Sequence, residues 1–466
     1  MGEHIIPLEG EYERGEARGW EGKIYRQVCV EGQRKAAEYL AALDEALYEE
    51  RPGDWRVVGF RERTVVTRFG EVRIRRRLYR DKRGKYHAML DEYVGLKAHQ
   101  AATPEMQAIC SKMGSEMSFR TAAGVLVQWQ AGLLSCSTCW RLLQRTGEAV
   151  VSGEAAAVQA VFERGERVPE AGEREVERLY MEADGVYVRL QGQPQSHMEV
   201  RSAIAYEDWE PLSSAREGYR LRGKRVYCHA NEQSPFWEGA SIAWAGRWDP
   251  SSVREVIIGG DGAGWIRAGR EAFPGAIWQL DSFHLARACG RAFGAEMGRQ
   301  LYEALRAGRT TEAQAWLQHA PLRKGKQALR ESRWVNKIAQ EGWGVDWRVQ
   351  LGVDMEEGRG LGCMEGTQAH LLAARMKHKG RSWSPAGARH MAKVQELCAN
   401  HELDGWCYRK TENDALQRHD TRRPRALRTD PTDWLQASVP ALHGPAENAP
   451  WVQRLRRTIH QPHPPN

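Results

Sequence analysis

The chain has 466 residues, 41% of them apolar, and a formal net charge of +7, enough apolar content for more than one core and a mildly basic balance. Nine cysteines without framework spacing exclude a disulfide scaffold, and Cys136 and Cys139 have no second pair at zinc-ribbon distance. No charged-then-apolar leader opens the sequence and no run approaches the roughly 20 apolar residues of a membrane span, so a soluble, reduced, cytoplasmic protein with no membrane partner is expected.

Residues 22–50 place Ala36, Leu40, Leu43 and Leu47 at helical spacing and predict an amphipathic helix. Residues 56–80 change to period two, and 64–69 and 72–79 flank Gly70-Glu71, a turn signal, so a β-hairpin is expected. Its second strand lies in a basic segment, 68–85, with nine Lys/Arg against Glu71 and Asp81. Two readings follow. Either this is an edge strand kept from aggregating by charge, or it is a ribbon that tracks phosphates with Arg73, Arg75, Arg76, Arg77, Arg80, Lys82 and Arg83. Residues 104–148 read as helical. A helix over 118–126, a turn containing Gly132 and a second helix capped by Ser135 give a helix-turn-helix layout. Ser135, Ser137, Thr138 and Arg141 would then face DNA, although a plain helical hairpin has the same pattern.

The composition shifts near 165–175. The expected organisation is an N-terminal helix and basic hairpin over 1–100, a helical segment with linker over 101–170, a core over 171–402 and a partly extended tail over 403–466. Strands are predicted at 179–183 and 186–190 around Asp184, then at 199–206 and 225–229. Val256-Ile257-Ile258 reads as a strand buried on both faces, ended by Gly259-Gly260 and tipped by Asp261. Ala276-Ile277-Trp278-Gln279-Leu280 precedes a second polar tip, Asp281-Ser282-Phe283-His284. Antiparallel strands, a strand added beside the first, then helices, is the ribonuclease-H-like order: an α/β core with a mixed sheet flanked by helices, preceded by an α+β and helical DNA-binding region. Leu301, Ala304, Leu305, Ala313, Leu317 and Ile338 predict short helices, an all-helical insertion at about 288–358.

Metal-assisted phosphodiester chemistry needs several carboxylates that converge. Asp184 and Asp261 meet if their strands pair. Glu182 shares the strand parity of Asp184, so spacing alone does not choose between them. Glu365 precedes Ala369, Leu372, Ala373 and Met376, an apolar stripe that would turn it toward the sheet. A glutamate at a helix start is also an ordinary dipole partner, and Glu356 and Glu357 are further acids nearby.

Together, Ala183-Asp184-Gly185-Val186, Gly260-Asp261-Gly262-Ala263, Asp281-Ser282-Phe283-His284 and Cys363-Met364-Glu365-Gly366, followed by Arg375-Met376 and Trp383-Ser384-Pro385, resemble the DDE transposases of bacterial insertion sequences. The nearest branch is the Lre-type group, which is related to the Mutator-like transposases. The resemblance implies that Asp184, Asp261 and Glu365 bind two Mg²⁺ (or Mn²⁺) ions. It also implies that Asp281 and His284 support the site; a helix cap made by those two residues is the plain alternative. The implied activity is cleavage of the element's terminal inverted repeats and joining of the 3′-hydroxyl to target DNA, without a covalent enzyme intermediate. The implied protein acts on double-stranded DNA as a homodimer or larger assembly, near the nucleoid. A nuclease without strand transfer and an inactive DNA-binding protein are the alternatives.

Overall fold

The computed structural model describes residues 19–407 apart from 98–99, 130–133, 169–171, 214–215, 231–234, 357 and 379. Gly132, Glu357 and the tail beyond Cys407 therefore lie outside the described residues. One compact unit runs through Leu142 and a second covers Leu143–Leu403. The division falls inside a long helix rather than near 165–175.

In the first unit, α1 (Trp20–Glu49) is the predicted amphipathic helix. It packs Leu47, with Leu40 and Leu43 half-buried, against Val65, Val72 and Ile74 of a hairpin. The hairpin strands are β1 (Arg56–Thr67) and β2 (Gly70–Arg80), and the short β3 (Tyr86–His87) pairs with β2. The turn falls at Arg68-Phe69, two residues before the predicted position, because Thr67 pairs with Gly70 and its hydroxyl accepts the Phe69 amide at 3.1 Å. Gly70 opens β2 with φ 120°, and a Cβ there would meet Gln33 Nε2 of α1 at 2.3 Å. Helices α2 (Met89–Tyr93), α3 (Pro104–Glu116) and α4 (Phe119–Trp129) follow, then α5 (Cys136–Val158). Cys110, Leu126, Cys139 and Leu142 share an apolar cluster among the last three helices. Ser135 accepts the Thr138 amide at 3.2 Å, the expected N-cap of α5.

The second unit holds β4 (Arg178–Arg189), β5 (His197–Tyr206), a separate hairpin of β6 (Asp208–Ser213) and β7 (Arg216–Arg222), and β8 (Arg225–His229). After α6 (Phe236–Ala245) come β9 (Glu255–Gly260), the one-turn helices α7 (Gly264–Arg267) and α8 (Gly269–Ala272), and β10 (Ile277–Leu280). Five of these strands make a mixed sheet in the order β10-β9-β4-β5-β8. β4, β5 and β8 are antiparallel neighbours, whereas β9 runs parallel to β4 and β10 parallel to β9. The predicted strands are all present, and the two segments around Asp184 are one continuous strand. The β6–β7 hairpin has no counterpart in the sequence reading.

Gly259 and Gly260 are the last two residues of β9, as expected, and the left-handed turn follows at Gly262, φ 89°. Their smallness also serves packing: a Cβ on Gly260 would sit 2.7 Å from Ile266 Cγ2 and 2.8 Å from the Ala183 carbonyl. Met181, Ile258 and Leu280, each almost fully buried, carry the sheet's share of the main core, at roughly 1.5–3 kcal/mol per side chain.

Helices fill the stretch after β10, as expected for an insertion: α9 (Ser282–Phe293), α10 (Ala295–Arg306), α11 (Thr310–His319), α12 (Lys326–Glu341) and α13 (Trp347–Leu351). Leu301, Ala304, Leu305, Ala313 and Ile338 join the same core. The Glu365 segment is α14 (Cys363–Gln368), a π-helical turn over Ala369–Ala373 and α15 (Ala374–Met376), and α16 (Pro385–Ala399) closes the unit.

Candidate active-site cleft

Strand register builds the site. Ala183 on β4 pairs with Gly260 on β9, and Gly260 pairs with Leu280 on β10. The residue that follows each of these is an aspartate, so Asp184, Asp261 and Asp281 stand at one level. For β9 and β10 that level is the carboxyl end, where open α/β sheets place ligands, whereas β4 runs on to Arg189 and Asp184 pairs within it with Ser202 of β5. With Glu182, His284 and Glu365 they line one small cleft.

Each carboxylate is settled differently. Asp184 accepts the Gly185 amide at 2.7 Å. Burial, with a further push from the Asp261 and Asp281 charges, drives its acid up to about 6. Asp261 accepts the Ala263 amide at 2.8 Å. Asp281 caps α9 and accepts both the His284 amide, 3.0 Å, and the His284 ring at Nδ1, 3.1 Å. Burial works against the Asp281 charge, yet these bonds hold its acid below the usual range. The same bond to Asp281, together with the Asp261 and Asp184 charges, raises His284 against the opposing effect of burial. The cap reading of this pair is therefore correct, and it leaves both residues lining the cleft.

Glu182 is a different kind of acid. Only 2% exposed, it accepts the Tyr206 hydroxyl at 2.6 Å and the backbone amides of Gly362 and Met364 at 2.9 and 3.1 Å. Burial pushes its acid up, and those three donors oppose the shift. Parity left Glu182 and Asp184 open; their partners distinguish them.

Glu365 does not sit on a buried stripe. It is exposed at the cleft rim, and so is Ala369, while Met364, Gln368, Leu371, Leu372, Arg375 and Met376 are buried. Glu365 and Ala369, four residues apart, keep one exposed face; the π turn over Ala369–Ala373 then shifts the helical repeat, so a 3.6-residue extrapolation back from Leu372 and Met376 to Glu365 fails. Such turns occur often at functional sites. Glu356 is exposed as well, and its amide binds Asp354. The Arg375 and Trp383 motifs hold the fold: Arg375 lies over the Trp383 ring, whose Nε1 donates to the Met376 carbonyl at 2.9 Å.

A set of carboxylate oxygens is the donor chemistry that hard divalent cations prefer, and Asp184 is raised by burial first and by the Asp261 and Asp281 charges after it. Among the described residues, however, no three of His, Cys, Asp and Glu stand close enough together to hold a metal ion. The donor types fit, and Glu365 stands exposed on the rim.

In the first unit, the basic strand divides. Arg73, Arg75 and Arg80 are exposed, whereas Arg76 pairs with Asp91 at 2.7 Å and Arg77 with Asp44 at 2.7 Å and with Glu45. Guanidinium groups therefore do not line the strand freely along its length. Lys82 and Arg83 lie in the loop after β2. At the start of α5, Ser135, Ser137 and Arg141 are exposed, and Arg141 donates to the Thr138 hydroxyl at 3.1 Å. Among the described residues no helix is long and apolar enough to cross a membrane.

Residues 18–415 match the family described as UPF0236, an uncharacterised protein family. The chain is 25% identical over 368 residues to the UPF0236 protein in vanSb 3'region of Streptococcus gallolyticus, covering 76% of this chain and 77% of that one. It is 22% identical over 384 residues to UPF0236 protein TTE2489 of Caldanaerobacter subterraneus, covering 79% and 76%. A third relative, from the same strain of Caldanaerobacter, is 21% identical over 382 residues, covering 79% and 75%, and its name strings together many locus labels beginning TTE0033/TTE0744/TTE0838. On the match over most of its length, the chain belongs to the UPF0236 family.

Proposed function

We propose that this protein is a DDE transposase, which binds the ends of the DNA segment that encodes it, cuts them and joins the freed 3′-hydroxyl to target DNA. The observation that carries the reading is the register that sets Asp184, Asp261 and Asp281 side by side on three parallel strands, with Glu365 on the rim of the same cleft. Numbered within the five-stranded sheet alone, the order is 5-4-1-2-3 with strands 1 to 3 antiparallel and 4 and 5 parallel to 1. That order supports reading the sheet as a ribonuclease-H-like core, with the helices after β10 as an insertion before the Glu365 helix. The relative whose name joins many loci of one strain agrees with it, since repeated copies are what a self-mobilising segment leaves.

In this reading Asp184, Asp261 and Glu365 hold two Mg²⁺ ions, which would activate the attacking oxygen and stabilise the leaving one. The chain's own groups do the rest. Asp281 orients His284, whose raised affinity for a proton suits it to face a phosphate at the cleft. The exposed Arg73, Arg75 and Arg80 and the start of α5 supply phosphate contacts.

The test is strand cleavage and joining on a labelled duplex carrying one end of the encoding segment, with Mg²⁺ or Mn²⁺. Wild type should cut and join. Asp184→Asn, Asp261→Asn and Glu365→Gln should bind the duplex yet lose about three orders of magnitude in rate, as removal of several kcal/mol of charge stabilisation demands. Cutting without joining would make the protein a nuclease. Binding without cutting under either metal would make it a DNA-binding protein.

A further inference from the structure

The mixed sheet does more than carry aspartates: it builds a seat for the helix that carries Glu365. Glu182 on β4 and Gly259 on β9 are register partners. Above Gly259 the space is taken by Leu361, which a Cβ would meet at 2.7 Å. Beside it, one oxygen of Glu182 accepts the amides of both Gly362 and Met364. One strand further on, Ser202 of β5 donates to Gln368 at 2.5 Å. The chain from 361 to 368 is thus tied down at successive points, with Glu365 in the middle of the tied stretch.

The choice of residue at 182 calls for a reason. A strand position 2% exposed and surrounded by apolar neighbours ordinarily holds an apolar side chain, because burying a carboxylate is costly unless its oxygens are paired. Here three donors pair them. Two are amides at a helix start, which has no partners of its own for its first N–H groups. A leucine at 182 would take the acceptor from both amides, and that of buried Met364 has no water to replace it. Tyr206 fixes the other carboxylate oxygen and so sets the direction in which the first one points.

We propose that Glu182 is a positioning residue, which holds the Gly362–Met364 backbone on the sheet and thereby fixes where Glu365 enters the cleft. It acts through the backbone, two residues along the strand from Asp184, and so couples the strand that bears the first acid to the helix that bears the third. The catalytic part of this inference rests on the reading in the previous subsection; the anchoring part does not.

The experiment has two arms on the full-length protein. The first is hydrogen exchange of the 359–376 segment in wild type, Glu182→Ala and Glu182→Gln. Glu182→Ala should lose protection in this segment by at least about tenfold while β5 and α16 keep theirs. Glu182→Gln, whose amide oxygen still accepts the two N–H groups while Tyr206 turns to accept from its nitrogen, should keep most of it. Unchanged protection in Glu182→Ala overturns the proposal. The second arm measures cutting of the end duplex at a temperature where all variants are folded. Glu182→Ala should cut at least about tenfold more slowly and need more Mg²⁺ for half its own maximal rate. In a Glu365→Gln background it should cost nothing further. An additive loss in that background, or an unshifted Mg²⁺ requirement, overturns the coupling to Glu365. If wild type itself never cuts, the transposase reading falls, and the exchange arm still decides whether Glu182 anchors the helix.

Discussion

Two groups of acids lie in the second unit, and the fold settles them in opposite ways. In the cleft, Asp184, Asp261, Asp281 and Glu365 share the lining with His284, whose ring bonds Asp281. Elsewhere, Glu154 of α5 and Glu396 of α16 close on Lys393, whose ammonium is 3% exposed and lies 2.5 and 2.9 Å from them. Burial opposes the Glu154 charge, but Lys393, His229 and Tyr227 hold its acid down at about 2. Where acids hold the fold together, the chain supplies its own cation. Among the described residues, those lining the cleft include no lysine or arginine, and His284 bonds Asp281. The difference supports a functional cleft better than any single distance does.

The largest effect should come from taking away the built-in cation. Lys393→Met strands two buried carboxylates and should cost about 3–5 kcal/mol of stability, read from the urea midpoint. A loss below about 1 kcal/mol would show that the buried cluster is as uncompensated as the cleft, and the comparison would collapse. The converse is a divalent cation added to wild type. Mg²⁺ at about a hundred times its dissociation constant should stabilise by about 2.7 kcal/mol. That gain should vanish in Asp184→Asn and survive in Glu154→Gln. A gain that survives in Asp184→Asn would put the ion elsewhere.

The buried cluster also has a pH signature. The depressed acid of Glu154 contributes stability that is complete above the unfolded value, near 4.5, and is lost as pH falls toward 2. Glu396 runs the other way: burial, against the pull of Lys393, raises its acid to about 7, so its cost appears as pH climbs from 4.5 to 7. Together they place the cluster's greatest contribution near pH 4.5. Glu396→Gln should flatten the limb between 4.5 and 7, and a limb of unchanged slope would assign it to other groups. A smaller effect is expected in the cleft. Asp184→Asn, without metal, should change stability by no more than about 1 kcal/mol, because it removes a crowded charge and not a partner.

What could be read from the sequence follows from how local each cause is. The five sheet strands were legible because runs such as Val256-Ile257-Ile258 are buried on both faces and need no distant information. The meeting of Asp184 and Asp261 was legible only as a condition on pairing, which the register satisfies. The β6–β7 hairpin was not, since Pro211 within the run argues against a strand. Nor was the outward turn of Glu365, because a π turn leaves no compositional mark. The role of Glu182 depends on amides 180 and 182 residues away. Its one sequence signal was a glutamate inside an otherwise apolar strand, which parity noticed without explaining. The arginines of β2 failed for the same reason, for Asp44 lies 33 residues before its partner.

Those arginines give the smallest predicted effect and extend the comparison to the first unit. Arg77 is held by Asp44 and Glu45, and Arg76 by Asp91, which also keeps Arg63 at 2.7 Å. Arg73, Arg75 and Arg80 are exposed. A charge already neutralised within the protein releases few counterions from DNA, whereas an exposed one releases nearly a full one per phosphate contact. Replacing Arg73, Arg75 and Arg80 together by alanine should therefore reduce the slope of log K against log salt by about 3 on a nonspecific duplex. Arg76→Ala, which leaves Asp91 its Arg63 partner, should leave the slope within about 0.3 of wild type. If Arg76→Ala lowers the slope by a full unit, the ion pair opens on DNA and the internal partner is a latch. If the triple variant keeps its slope, β2 is an edge strand protected by charge, and phosphate binding must be sought at Ser135, Ser137 and Arg141 on α5.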